Sequence, residues 1–141
     1  MLFGEYLVLN GADALAFPLK FGQTLSVTKS DHLVWESYAL DGNWFFAKLN
    51  DDLSILETNN QEVAEILRKL LCVIRTENST IDFKQYFRAE ANFDLKWGLG
   101  SSSTLISLLS QWSGVEPRTL LDVSFGGSGY DVACATANAP I

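Results

Sequence analysis

Trp97-Gly98-Leu99-Gly100-Ser101-Ser102-Ser103-Thr104-Leu105 is the stretch that decides how the chain is read. Two glycines let the backbone turn tightly and come close to a ligand. Three serines and a threonine follow, where a helix exposes N–H groups that have no intrahelical partner. Behind them Leu105, Leu108, Leu109 and Trp112 repeat at helical spacing, so the loop opens a helix. Free donors and the helix dipole both favour negative charge, which makes this junction an expected anion site, suited to the phosphates of a nucleotide.

Composition bounds what such a site could serve. The chain has 141 residues, 48% hydrophobic and 19% charged, which suits one domain with a core rather than a disordered chain. A formal net charge of −7 speaks against a nucleic-acid surface, which needs a basic stripe. An anionic small ligand stays open, because a local run of N–H groups binds phosphate on an acidic protein. Cys72 and Cys134 lie in apolar helical patterns without zinc or redox spacing, so both read as reduced, buried thiols. No basic leader follows Met1, and the longest apolar run, near residues 70–74, is too short to span a bilayer. No membrane association and a cytoplasmic location are therefore expected.

Outward from the glycine loop, the chain alternates sheet and helix signals. Residues 2–9 read as a buried strand closed by Asn10-Gly11, with Gly4-Glu5 inside it. Glu5 there is either a partnered, functional carboxylate or a water-facing residue of an edge strand. Residues 22–56 read as an antiparallel meander. Its strands cover residues 23–28, 33–40, 43–49 and 53–56, with turns at Lys29-Ser30-Asp31 and Asn50-Asp51-Asp52 and a two-residue hairpin turn at Asp41-Gly42. Trp35, Tyr38, Trp44, Phe45 and Phe46 give this sheet large apolar area, suited to a core or to one face of a small-molecule pocket. A helix over residues 60–75 carries Val63, Ile66, Leu67, Leu70, Leu71 and Ile74 as a buried stripe, with Asn59 as its cap and Glu65–Lys69 as an exposed pair. The second half of residues 81–96 reads as a strand leading into the glycine loop. The helix after that loop ends at Ser113-Gly114, and Pro117 starts another carrying Leu120 and Leu121. A second glycine-rich loop, Phe125-Gly126-Gly127-Ser128-Gly129-Tyr130-Asp131, again runs into a helical pattern.

Several chemistries fail on spacing. No lysine follows Gly100 as a Walker loop requires, and Ser103 stands where the dinucleotide fingerprint needs its third glycine. A nucleophile elbow would need glycine at position 130, and the single histidine, His32, sits at the edge of a meander strand. Two glycine-and-serine loops at helix starts and one carboxylate, Asp131, remain. Phosphoryl transfer to an alcohol needs little more: held phosphates, offset charge and a base beside the accepting hydroxyl. The plainer alternative is that Ser128 and Asp131 cap a helix.

Gly98-Leu99-Gly100-Ser101-Ser102-Ser103 closely resembles the second motif of the GHMP kinases. Gly4-Glu5-Tyr6 through Gly11, followed by Ala12, Ala14, Leu15, Ala16 and Pro18, is similar to the family's first motif in its mevalonate and phosphomevalonate kinase form. Gly127-Ser128-Gly129-Tyr130-Asp131-Val132-Ala133 resembles the segment that carries the family's catalytic aspartate. The three stand in the family's order.

The resemblance implies an α+β fold, the N-terminal ATP-binding domain of a GHMP kinase, with a mixed, mostly antiparallel sheet packed with helices. It implies ATP and Mg²⁺ as cofactors and transfer of the γ-phosphoryl group to a small alcohol or phosphate acceptor such as mevalonate, phosphomevalonate or a sugar. Gly98, Leu99, Gly100, Ser101, Ser102 and Ser103 would wrap the nucleotide phosphates, with Ser102 contributing to the Mg²⁺ site. Asp131 would take the acceptor's hydroxyl proton, and Glu5, Tyr6, Ser128 and Gly129 would line the acceptor side. The chain departs from the family in lacking the lysine ahead of Gly4-Glu5 and in carrying Asp94-Leu95-Lys96-Trp97 before the loop. The acid nearest to the family's upstream Mg²⁺ ligand is Asp122. A third glycine-rich motif and a C-terminal domain are also missing from residues 1–141, so the expectation is a kinase N-terminal portion, inactive alone, that self-associates or pairs with a C-terminal half. The alternative is a non-catalytic nucleotide- or metabolite-binding fragment.

Overall fold

Residues 33–39 read Leu-Val-Trp-Glu-Ser-Tyr-Ala, and every second side chain falls on the same face of a strand. Leu33, Trp35 and Ser37 are buried, while Val34, Glu36 and Tyr38 are half-buried on the other side. The computed structural model describes residues 22–97 and 101–124, with Trp97 and Ser101 described by backbone alone. Among the described residues five strands form one sheet: β1 (Gln23–Lys29), β2 (Leu33–Ala39), β3 (Gly42–Leu49), β4 (Ile55–Thr58) and β5 (Gln85–Ala91). Among the same residues the helices α1 (Gln61–Glu77), α2 (Ser101–Ser113) and α3 (Pro117–Val123) accompany it, and a 3₁₀ turn, Leu95–Trp97, precedes α2. The fold is thus mixed α+β with a mostly antiparallel sheet.

The strand order is β1-β5-β2-β3-β4, which corrects the meander reading of residues 22–56. Only β2, β3 and β4 run as consecutive antiparallel neighbours. Lys29-Ser30-Asp31 does not close a hairpin; the Ser30 amide instead donates to the Lys84 carbonyl at 3.1 Å, at the head of β5. β5 inserts between the first two strands, antiparallel to β1 and parallel to β2. A parallel neighbour needs a crossover, and the β3–β4–α1 segment supplies it.

Three local boundaries also differ from the sequence reading. The hairpin turn is Leu40-Asp41, one residue earlier than Asp41-Gly42, because Gly42 already pairs with Ala39. Gly42 has φ +103°, so its freedom is used at the first strand position after the turn. The cap of α1 is Asn60 rather than Asn59: its side chain accepts from the Val63 amide at 3.3 Å. Asn59 instead holds the sheet, accepting from the Phe46 amide at 2.9 Å. Glu65 pairs with Arg68 at 2.9 Å rather than with Lys69. Strand β4 begins at Ile55, two residues after the expected start, because Leu53 adopts φ +65° in the preceding turn.

The three helices share one sheet face. Trp35, Phe45, Ala47 and Phe87 from the strands form one buried cluster with Leu67, Leu70, Leu71 and Ile74 of α1, Ile106 and Leu109 of α2, and Leu120 and Leu121 of α3. Trp35 stacks on Phe87 with ring centroids 5.2 Å apart, and Phe87 meets Trp112 edge-on at 5.0 Å. Cys72 is a free, half-buried thiol at the margin of this core, less enclosed than expected; Cys134 lies outside the described residues. The opposite face carries a polar network. Tyr38 donates to Glu36 Oε2 at 2.8 Å, Tyr86 donates to the same oxygen, and the Arg88 guanidinium lies 4.1 Å from the Tyr38 ring centroid. Among the described residues no helix is long and apolar enough to cross a membrane.

Candidate functional site

Helix α2 starts at Ser101, directly behind the glycine run. Its first turn holds hydroxyl residues and no acidic one, so nothing there opposes the positive end of the helix dipole. Its far end is closed locally. Gly114, at φ +74°, donates to the Ser110 carbonyl at 2.8 Å, and Ser113 Oγ donates to the Leu109 carbonyl at 2.6 Å. Asn78 Nδ2 donates to the Ser113 carbonyl at 2.9 Å and ties the end of α1 to the end of α2. The helix is therefore anchored away from the glycine loop.

Within the first turn the three described side chains do different things. Ser103 is buried, Ser102 is half-buried, and Thr104 Oγ1 donates to Gln23 Oε1 of β1 at 2.8 Å. Ser102 and Gln23 stand on the wall of a cavity of about 170 Å³ between the sheet and the helices. Its wall is otherwise mostly apolar: Trp35, Trp44 and Phe45 from the sheet, Leu105 from α2, and Val63 and Ile66 from α1. Ser37 also lines it, but its hydroxyl accepts from Trp35 Nε1 at 2.9 Å, so the two hold each other. A space of this size, larger than one water needs, admits a small flat organic group. Trp44, 38% exposed, is the aromatic side chain on that wall that also reaches solvent.

Of the sequence-predicted site residues, Ser102 reaches the cavity and Ser103 lies beside it in the same turn. Ser101 begins the helix, and its side chain is not described. Glu5, Tyr6, Gly98, Leu99, Gly100, Ser128, Gly129 and Asp131 lie outside the described residues. Asp122 is held in an exposed ion pair with Arg118 at 2.9 Å, so it is already engaged by a cation. Among the described residues there is no group of three His, Cys, Asp or Glu side chains placed to hold a metal. His32 is exposed in the connection from β1 to β2, away from the cavity lining.

Two features escaped the sequence reading. Gln23 reads as an ordinary strand position, and its partner Thr104 is far along the chain. The aromatic residues of β2 and β3 read as one set, whereas Trp35 and Phe45 belong to core and cavity wall, and Tyr38 to the opposite face. Strand alternation carries part of that second distinction. Nothing local carries the first.

No family model, no curated protein and no solved structure matches the chain.

Proposed function

We propose that the chain is the nucleotide-binding part of a GHMP-type kinase, which transfers the γ-phosphoryl group of ATP to a small alcohol or phosphate acceptor of the mevalonate or phosphomevalonate kind. The observation that carries this reading is a glycine-serine run opening a helix with no carboxylate in its first turn, against an apolar cavity. A nucleotide needs both parts, donors for its phosphates and a dry space for its uncharged portion. The order of the three motifs, Gly4-Glu5-Tyr6, Gly98 to Ser103 and Gly127 to Asp131, adds the acceptor side.

In this reading the first-turn N–H groups and the hydroxyls of Ser101, Ser102 and Ser103 hold the phosphates. Ser102 would offer Mg²⁺ one hydroxyl oxygen, and among the described residues no group of carboxylates is placed to add to it. The ion, when bound, offsets the negative charge of the phosphates. Asp131 accepts the acceptor's hydroxyl proton as the new P–O bond forms and ADP leaves. Glu5, Tyr6, Ser128 and Gly129 orient the acceptor.

The test is ATP-dependent phosphorylation by residues 1–141 joined to or mixed with a C-terminal half, with mevalonate, phosphomevalonate and a panel of sugars, followed as ADP release and as labelled product. Turnover of one of these, reduced at least a hundredfold in Asp131→Ala, is the expected result. ATP binding without turnover of any acceptor would favour a non-catalytic nucleotide-binding role. Absence of both ATP binding and turnover would overturn the proposal.

A further inference from the structure

We propose that Gly22 and Gln23 act as a brace that pins both ends of the segment between Asn92 and Thr104, and so set where the start of α2 stands. The inference rests on reading that helix start as a phosphate site, and it assigns positioning roles to residues that do not touch the ligand.

At the near end of the segment, the Asn92 amide donates to the Gly22 carbonyl at 3.1 Å, and the Gly22 amide donates to Asn92 Oδ1 at 2.7 Å. At the far end, Thr104 Oγ1 donates to Gln23 Oε1 at 2.8 Å. Gly22 and Gln23 are adjacent, so neighbouring residues hold two points that are well separated along the chain. The β1–β5 ladder continues directly from this point, pairing Gln23 with Ala91, so the brace stands on the sheet rather than on another loop.

The Gly22–Asn92 pair fixes the end of β1 from which Gln23 reaches α2. The Thr104 bond adds a second restraint. Thr104 lies in the first turn of α2, so tying its hydroxyl to β1 fixes how far that turn stands from the sheet edge. Gln23 and Ser102 line the same cavity, and any shift of the turn would therefore move the cavity wall with it. A phosphate site made of backbone donors depends on where those donors point, and side chains that fix their direction act on affinity from outside the contact shell.

The experiment uses the full chain and four variants: Thr104→Val, which keeps the shape and removes the donor; Thr104→Ser, which keeps the hydroxyl; Gln23→Met, which removes the acceptor; and the Thr104→Val/Gln23→Met double. MgATP affinity is measured by calorimetry below any unfolding transition. Amide hydrogen exchange over residues 105–108, whose amides donate to the carbonyls of the first turn, is measured without ligand. Thr104→Val and Gln23→Met should each weaken MgATP binding roughly fivefold, the double no more than either single, and Thr104→Ser less than twofold. Exchange there should quicken in Thr104→Val and in Gln23→Met and stay near the parent's in Thr104→Ser. Unchanged exchange in Thr104→Val would overturn the brace itself. Faster exchange with unchanged affinity, a simply additive double variant, or equal losses in the Ser and Val forms would overturn the positioning role. If the parent binds no MgATP, this inference falls together with the proposed function; if the parent binds and the variants match it, this inference alone falls.

Discussion

Leu53 sets two physical requirements against each other, and substitutions there separate them. It is fully buried, and its backbone has φ +65°, the left-handed region that branched and bulky residues avoid. The turn imposes that conformation: the Leu53 amide donates to the Asn50 carbonyl, and the Asn50 amide donates to the Ser54 carbonyl, both at 2.9 Å. Arg75 of α1 locks the corner by donating to the Asp51 carbonyl at 3.2 Å and to the Asp52 carbonyl at 3.5 Å. The leucine side chain is retained because it belongs to the core cluster that includes Leu70, Leu71 and Ile74 of α1. Leu53→Ala removes the packing and keeps the strained backbone, so a loss of about 3 kcal/mol is expected. Leu53→Gly removes slightly more packing but releases the strain. At positive φ glycine outdoes alanine by roughly 1 kcal/mol net of the unfolded-state entropy, so the glycine variant should be the more stable of the two. That order is the reverse of the one usual at buried sites. Urea unfolding followed by tryptophan fluorescence reads it directly, with Trp35 buried in the same cluster. The two midpoints should differ by about half a molar for an ordinary urea slope. Equal midpoints, or alanine above glycine, would refute the strained-backbone account. Losses below about 1 kcal/mol in both would refute the burial.

Two further outcomes follow from named contacts. Tyr86 and Tyr38 both donate to Glu36, which holds the Glu36 carboxyl below its ordinary range, and the same carboxylate pushes the Tyr86 hydroxyl up to about 12. The lowered Glu36 group contributes stability above its unfolded value that is lost as pH falls through its folded one. The raised Tyr86 group contributes stability below the ordinary tyrosine value that is lost as pH rises towards 12. Glu36→Gln should therefore flatten the acid limb of the stability profile and bring the Tyr86 titration down towards 10, read as tyrosinate absorbance against Tyr86→Phe. An unchanged tyrosinate titration would contradict the network. Asn60→Ala should lower stability by about 1 kcal/mol through loss of the α1 cap, measured by urea unfolding; Asn60→Ser should restore most of it, and equal losses in both would reject the capping role.

What could be read from the sequence tracks the distance over which each signal acts. The buried stripe of α1 needs only its own turns, and the break between α2 and α3 at Gly114 and Pro117 needs two residues with fixed backbone preferences. The hairpin needed one contact more. Asp41-Gly42 correctly marked a turn, but the pairing of Ala39 with Gly42 moved it by one residue, because the glycine's positive φ is used after the turn rather than within it. Sheet order is a different kind of information. β5 displaces β2 from β1 because Phe87 and Ala89 complete the inner face between Leu25 or Val27 on one side and Trp35 or Ser37 on the other, a match across the chain that no local pattern contains. The candidate site divides along the same line. Its helix start was legible from Gly98 to Thr104, since glycine and hydroxyl residues act through the backbone next to them. The cavity was not, because Gln23, Trp44, Val63 and Leu105 come from four separate elements. The long-range contact between Gln23 and Thr104 links the two. It joins a strand with no motif to the helix that carries one, and so makes the location of that helix start a property of the whole sheet.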